Sequence, residues 1–257
     1  MKKRTLIYGK WVIVSAIGFL MMACNENTEE VFEEPQSQAS LSATAQGEST
    51  GSNPSGRVIV KGFSTSEFKV GTKDVEMRYA AKADILAGVS LGNITLKTNV
   101  NTSLQSSTAK EQSISLISEG SIRSNTMGSG RTPDGKYQEV KFRLFKNTSA
   151  SQSDPMRNKS LLIKGEVEGK VCDIWLESEK MITAKAESTQ GVDVDGQSEM
   201  VLVFDLAKLF ANVNFSTAVD SNMDGKIEIG PGSADANAAI FTQIESNIES
   251  AVMFKKK

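Results

Sequence analysis

The chain is 257 residues long, 39% hydrophobic, with 29 Lys and Arg against 31 Asp and Glu and no histidine at all. Zero histidine excludes, in their usual forms, serine hydrolase triads, cysteine–histidine pairs, histidine-rich zinc sites and imidazole proton shuttles. The near-neutral balance offers no basic excess for nucleic acid and no polybasic membrane patch, so no nucleic-acid partner is expected.

The chain opens "MKKRTLIYGKWVIVSAIGFLMMAC", with Lys2, Lys3, Arg4 and Lys10 ahead of an apolar run from Trp11 to Ala23. That run is shorter than the roughly 20 residues a membrane span needs, but it suits the h-region of a secretory signal. The Ala23-Cys24 junction resembles the lipobox of bacterial lipoproteins, in which the cysteine is acylated and becomes the mature N-terminus. Met21 and Met22 depart from that pattern, since smaller or branched residues are commoner there. Residues 1–23 are therefore expected to be a lipoprotein signal peptide, and Cys24 to carry palmitate-type acyl chains. Each buried methylene contributes about 0.8 kcal/mol, so two or three chains hold a protein in the membrane where one does not. The expected location is the bacterial cell envelope, lipid-anchored in the outer membrane, facing the periplasm or the surface.

Residues 24–56 contain Glu26, Glu29, Glu30, Glu33, Glu34 and Glu48 and neither Lys nor Arg. Low hydrophobicity and one-sided charge predict a disordered acidic, Ser-rich tether. The body, residues 57–257, is then formally neutral. An acidic cluster after a lipidated cysteine resembles a surface-export signal of some Gram-negative lipoproteins; a merely solvated tether explains it equally well.

In the body, short alternating runs separated by Ser, Thr and Gly predict an antiparallel β-sandwich. Val140, Phe142 and Leu144 share one face of a strand, as do Leu161, Ile163 and Val167, and then Cys172, Ile174 and Leu176. "EMVLVFDL" is apolar on both faces and predicts a covered central strand. Further strands are expected at Arg57–Lys61, Asp74–Tyr79, Asn93–Val100, Gln112–Ser118 and Met181–Glu187, with a turn at Pro133–Lys136. Near the C-terminus Ile240, Ile244, Ile248 and Val252 recur every four residues, predicting one amphipathic helix over about 235–254. Asp235 is its expected cap, and Lys255–Lys257 suit the negative end of its dipole.

The runs "QSISLISEG", "PDGKYQEVKFRL", "LLIKGEVEG" and "MVLVFDLAKLF" resemble an uncharacterised family of bacterial secreted lipoprotein domains with transthyretin-like or Ig-like β-sandwiches. The resemblance covers about Arg57 to Phe210, with an acidic loop and helix continuing to Phe254. It implies a fold and a location, and it carries no reaction.

Cys172, on an apolar strand face, is expected to be a buried and inert thiol. The pairs Glu166/Glu168 and Asp193/Asp195 have a spacing that permits glycosidase chemistry, although solvent-facing acids explain them more simply. Trp175 lies opposite the Cys172 face, where it is either a sugar-stacking surface or a covered core residue. "DSNMDGKIEI", from Asp220 to Ile229, follows the EF-hand order of oxygen ligands at positions 1, 3 and 5, glycine at 6 and a backbone carbonyl at 7. Asp220, Asn222, Asp224, Gly225 and Lys226 fill those places. Position 12 is Pro231 rather than a bidentate acid, so Glu228 or Asp235 has to close the shell. Either this loop holds a structural Ca2+ or it is an Asx-rich turn.

Taken together, these features predict a non-catalytic, lipid-anchored envelope module that binds an envelope or extracellular glycan or protein, or supports a surface assembly. The alternative is a carboxylate-dependent polysaccharide-processing enzyme or accessory protein.

Overall fold

A computed structural model describes residues 35–47, 57–80 and 111–257, all within one unit bounded by Glu34 and Lys257. The signal segment, Cys24 and the expected strand Asn93–Val100 lie outside the described residues. Strand accounts for 54% and helix for 9%, so the fold is mainly β, as the alternating patterns predict.

The strands are β1 (Gln36–Gln46), β2 (Val58–Val60), β3 (Phe63–Ala80), β4 (Gln112–Ser118), β5 (Ser121–Ile122), β6 (Ser124–Pro133) and β7 (Gly135–Leu144). They continue with β8 (Leu161–Val167), β9 (Lys170–Leu176), β10 (Met181–Ala186), β11 (Val192–Val194), β12 (Ser198–Asp205), β13 (Lys226–Ile229) and β14 (Val252–Lys256). Two α-helices, α1 (Leu206–Leu209) and α2 (Ala238–Asn247), and a 3-10 turn at Phe215–Thr217 complete the described elements. The strands join one sheet whose main path is β13-β9-β8-β3-β7-β10-β14-β12-β1-β6, with β2 and β4 on β3, β5 on β4 and β11 on β7.

That sheet is mixed, which corrects the expectation of a purely antiparallel one. β1 runs parallel to β12, β10 to β14, and β13 to β9. Parallel pairs need a long return connection, and each of these strands is separated from its partner by many residues of chain. Alternation along a strand reports which face is buried and carries no information about the direction of its neighbour.

Gly71 marks where the sheet divides. Along one edge of β3, Phe63–Val70 pairs with β8 and Thr72–Ala80 pairs with β7. Between them the Gly71 N–H donates to the Ser160 carbonyl at 2.8 Å, and its own carbonyl accepts from Phe145 N–H at 2.9 Å. A Cβ at this position would run into the Phe145 carbonyl oxygen, so the fork admits only glycine. Just beyond it, Asp74 takes φ +54° where the β3–β7 register shifts, a bulge that bends the strand.

The predicted strand faces hold. Val140, Phe142 and Leu144 are buried, as are Leu161, Ile163, Val167, Cys172, Ile174 and Leu176. β12 is buried on both faces from Met200 to Phe204 and lies between β14 and β1, the covered strand its composition predicts. Phe204 meets Phe142 at a ring-centroid distance of 6.0 Å, although β7 and β12 stand three ladder steps apart in the sheet. Three steps of about 4.8 Å would separate them by roughly 14 Å in a flat sheet. The sheet therefore curls, and Phe68, Phe142 and Phe204 gather in the resulting core.

Two expectations are corrected. The acidic segment 24–56 is not one disordered tether, because Gln36–Gln46 is strand β1, paired on one side with β12 and on the other with β6. Its inward residues Ala39, Leu41, Ala43 and Ala45 are all buried. Small side chains let its backbone sit between two partners, and the glutamates that suggested a tether lie outside this strand.

The helix expected over 235–254 is also too long. α2 covers only Ala238–Asn247, its N-cap is Asn237, and no side-chain hydrogen bond caps it. Val252 and Phe254 leave the helical period and bury at two-residue spacing in β14, where Phe254 pairs with Leu202. Val252 fits both a period of four and a period of two, and tertiary pairing decides between them. Lys255 and Lys256 accordingly sit on a strand, not at a helix end.

Candidate functional site

The loop before β13 is built on side chains that accept backbone N–H groups. Asp220 Oδ1 accepts from Asp224 N–H at 3.2 Å and its Oδ2 from Gly225 N–H at 3.0 Å. Asn222 Oδ1 accepts from Asp224 N–H at 3.0 Å, and Asp224 Oδ1 from Lys226 N–H at 2.9 Å. Gly225 takes φ +86°, the left-handed turn that its position in the motif demands. Asp220, Asn222 and Asp224 are thus brought together at the exposed end of the loop, as their spacing predicts.

The two shell-closing candidates are placed otherwise. Glu228 turns its carboxylate to Lys226 Nζ at 3.3 Å. Asp235 Oδ1 accepts from Ser221 N–H at 2.7 Å and Asn222 N–H at 3.3 Å, and Oδ2 accepts from Glu228 N–H at 2.7 Å. Burial pushes the Asp235 carboxyl up. The N–H groups of Glu228, Ser221 and Asn222, with the Lys226 charge, outweigh this and hold it below the usual carboxylate range. Among the described residues no three acidic or cysteine side chains converge within reach of one metal ion. An ion at this loop would take its first ligands from Asp220, Asn222 and Asp224, whose oxygens already accept backbone N–H groups; a fuller shell would require Asp235 or Glu228 to give up the partners it holds.

Lys226 and Asn237 finish this corner. Lys226 Nζ bonds Asp173 Oδ2 at 2.9 Å; burial works against its charge, but Asp173 and Glu228 hold the ammonium above the ordinary lysine range. Asn237, buried like Asp235, accepts from Val219 N–H and donates to the carbonyls of Val219 and Glu228. Asp235 and Asn237 therefore satisfy the N–H and C=O of Glu228 on the outer edge of β13. No sequence signal beyond the Asx-rich run "GSADAN" marks these two as edge seals.

The other candidates are dispersed. Glu166 pairs with Arg57 at 2.6 Å, while Glu168, at φ +51°, lies in the hairpin turn between β8 and β9 with Gly169 at +81°. Asp193 stands opposite Lys136 on β11, and Asp195 faces Lys256 at 3.7 Å. Trp175 is half-buried, and its indole fills the space a Cβ at Gly230 would need. Cys172 is fully buried; burial, with Asp173 beside it, pushes its thiol up to about 12.

A groove of about 640 Å3 opens where β10 and β14 part, lined by Thr183, Lys185, Glu187, Lys208, Glu249 and Val252 among others. These strands pair only at Lys185 with Met253 and Ala186 with Phe254. No helix among the described residues is long and apolar enough to cross a membrane. Comparison with family models, with curated proteins and with solved structures finds no match to this chain.

Proposed function

We propose that the protein is a lipid-anchored module of the bacterial cell envelope, held through Cys24, that binds an envelope or extracellular ligand or supports a surface assembly without catalysing a reaction. The observation that carries the non-catalytic part is how the polar groups are used. There is no histidine, the Cys172 thiol is buried, and Glu166 and Asp195 each face a basic partner. General acid–base work needs titratable groups gathered where one substrate can sit, and these groups are dispersed over separate elements, Glu166 on β8 and Asp195 beyond β11. The signal-like N-terminus and the Ala23-Cys24 junction support the anchoring part.

We read the sheet as folded on itself into a sandwich of the transthyretin-like or Ig-like kind. The contact of Phe68 on β3 with Phe204 on β12, at 6.0 Å, supports that reading. The calcium reading of the loop is kept in a restricted form: the ion takes Asp220, Asn222, Asp224 and the Lys226 carbonyl, and it acts on stability.

The test is a screen of the acylated protein, purified in detergent, against panels of glycans and peptides for binding and for turnover. Binding without turnover is the expected result. Hydrolysis that disappears in Glu166→Gln or Asp193→Asn overturns the reading in favour of a polysaccharide-processing enzyme.

A further inference from the structure

The position of β1 limits how the protein stands on a membrane. Resting on the anchoring reading above, we propose that the end of the sheet holding Gln36 and the β6–β7 corner is the membrane-proximal surface, resting against lipid headgroups, and that the opposite end is presented to ligands.

The argument is one of chain length. β1 is paired from its first residue, Gln36 with Pro133, and the Asp134 N–H donates to the Pro35 carbonyl at 2.7 Å. Only twelve peptide steps separate Cys24 from Gln36, and these cannot span more than about 43 Å however they are arranged. A body attached at Arg57 would instead have had roughly 110–120 Å of chain and no imposed orientation. From Gln36 to Gln46, β1 runs about 33 Å. Turning the Gln46 end toward the bilayer would require the linker to run back along nearly the whole strand, close to its limit.

The outer side of β3 and β7 does not favour lying flat: it carries charges of both signs in mutual pairs, Arg78 with Glu76 and Glu139, and Lys141 with Glu139. Burying such pairs against lipid costs desolvation that no one-signed attraction offsets.

The distal end carries α1 and the groove between β10 and β14. Gln46 pairs with Asp205, whose carboxylate caps α1, and Lys208 of α1 lines the groove between β10 and β14. Phe63, Phe210 and Phe215 pack together beneath this end. A ligand arriving from the aqueous side therefore meets α1 and the groove first.

The test uses acylated protein reconstituted in phosphatidylcholine vesicles that carry a headgroup nitroxide quencher. Exposed Gln197, next to the start of β12 on the proximal end, and exposed Lys208 on the distal end are changed to cysteine singly and labelled with a fluorophore. Buried Cys172 does not compete for the label. Quenching several-fold stronger at Gln197 than at Lys208 is expected, with the difference shrinking when the linker between Asn25 and Glu34 is doubled. Equal quenching, or stronger quenching at Lys208, in protein that Cys24→Ser releases from vesicles overturns the orientation while anchoring stands. Vesicle association that survives Cys24→Ser overturns the anchoring reading and the orientation together.

Discussion

Asp235 accepts the backbone N–H of Glu228 at 2.7 Å, a bond by which a buried carboxylate helps to close the outer edge of the sheet. An exposed strand edge invites pairing with another chain, and β13 is only four residues long. Of its outward-pointing peptide groups, Lys226 N–H is taken by Asp224, and the N–H and C=O of Glu228 are taken by Asp235 and Asn237.

Replacing Asp235 should therefore cost more than its small size suggests. In Asp235→Asn an amide nitrogen can be set against backbone N–H donors, and the charge assistance is lost. Hydrogen bonds to charged groups contribute about 1.5–3 kcal/mol each, and three are affected, not additively. A loss of about 3 kcal/mol is expected in urea unfolding, whereas exposed Glu187→Gln stays within about 0.5 kcal/mol. Equal midpoints for Asp235→Asn and the parent would show that the edge is held by something else.

The same carboxylate sets an acid limit. Its folded pKa lies below its unfolded value, so its contribution is fully present above the unfolded pKa, near 3.9, and is lost as pH falls through the folded value. Stability measured from pH 6 downward should decline below about pH 4, and the decline should be shallower in Asp235→Asn. An identical slope in both proteins would assign the acid sensitivity to other carboxylates.

β1 makes the sharpest prediction about where the domain begins. Eight of its residues pair with β12 and nine with β6, and Leu41 is fully buried. A chain starting at Pro35 should unfold cooperatively. A chain starting at Arg57 leaves the β12 edge bare and removes a strand from the core cluster, so it should show no cooperative thermal transition by circular dichroism. Cooperative melting of the Arg57 chain would make β1 an accessory strand.

Why β1 is hard to read lies in its residues. "SQASLSATAQ" has a faithful period of two at Ala39, Leu41, Ala43 and Ala45, but alanine and serine carry little β-propensity, and neighbouring glutamates dominate any compositional window. Strands with bulky alternation, such as Val140, Phe142 and Leu144, are legible because propensity and pattern agree. The β10–β14 and β1–β12 partnerships are not legible, since direction and partner are set by the closure of the core. At the loop, the clustering of Asp220, Asn222 and Asp224 follows from local spacing. The commitment of Asp235 to three peptide groups depends on where β13 lies and could not be read locally.

Cys172 supplies a probe of the core. Its thiol, pushed up to about 12, is almost wholly protonated near neutrality, and thiolate is the reactive form. It should resist alkylation by iodoacetamide in the native protein and react fully in denaturant, which mass spectrometry resolves. Rapid labelling under native conditions would mean that the β8–β9 hairpin opens locally.

The loop from Asp220 to Lys226 should respond to calcium. Asp220, Asn222 and Asp224 converge with two negative charges and no cation among them, and their oxygens accept N–H groups within the loop. An ion here replaces several of those bonds, so the net gain is smaller than for an empty cradle. With Asp235 committed elsewhere, affinity should fall in the weak extracellular range, about 10⁻⁴ to 10⁻³ M. A ligand that binds only the folded state at a hundred times its Kd adds about 2.7 kcal/mol, and at ten millimolar calcium the gain should be about 1.4–2.7 kcal/mol. Thermal unfolding of the full chain, with and without calcium, measures this directly. The melting temperature should rise in the parent and stay still in the double variant Asp220→Ala, Asp224→Ala, with magnesium giving no comparable rise because it demands octahedral geometry. If calcium shifts neither protein, or both equally, the loop is an Asx-rich turn whose only task is to bring Lys226 and Glu228 onto the edge of β9.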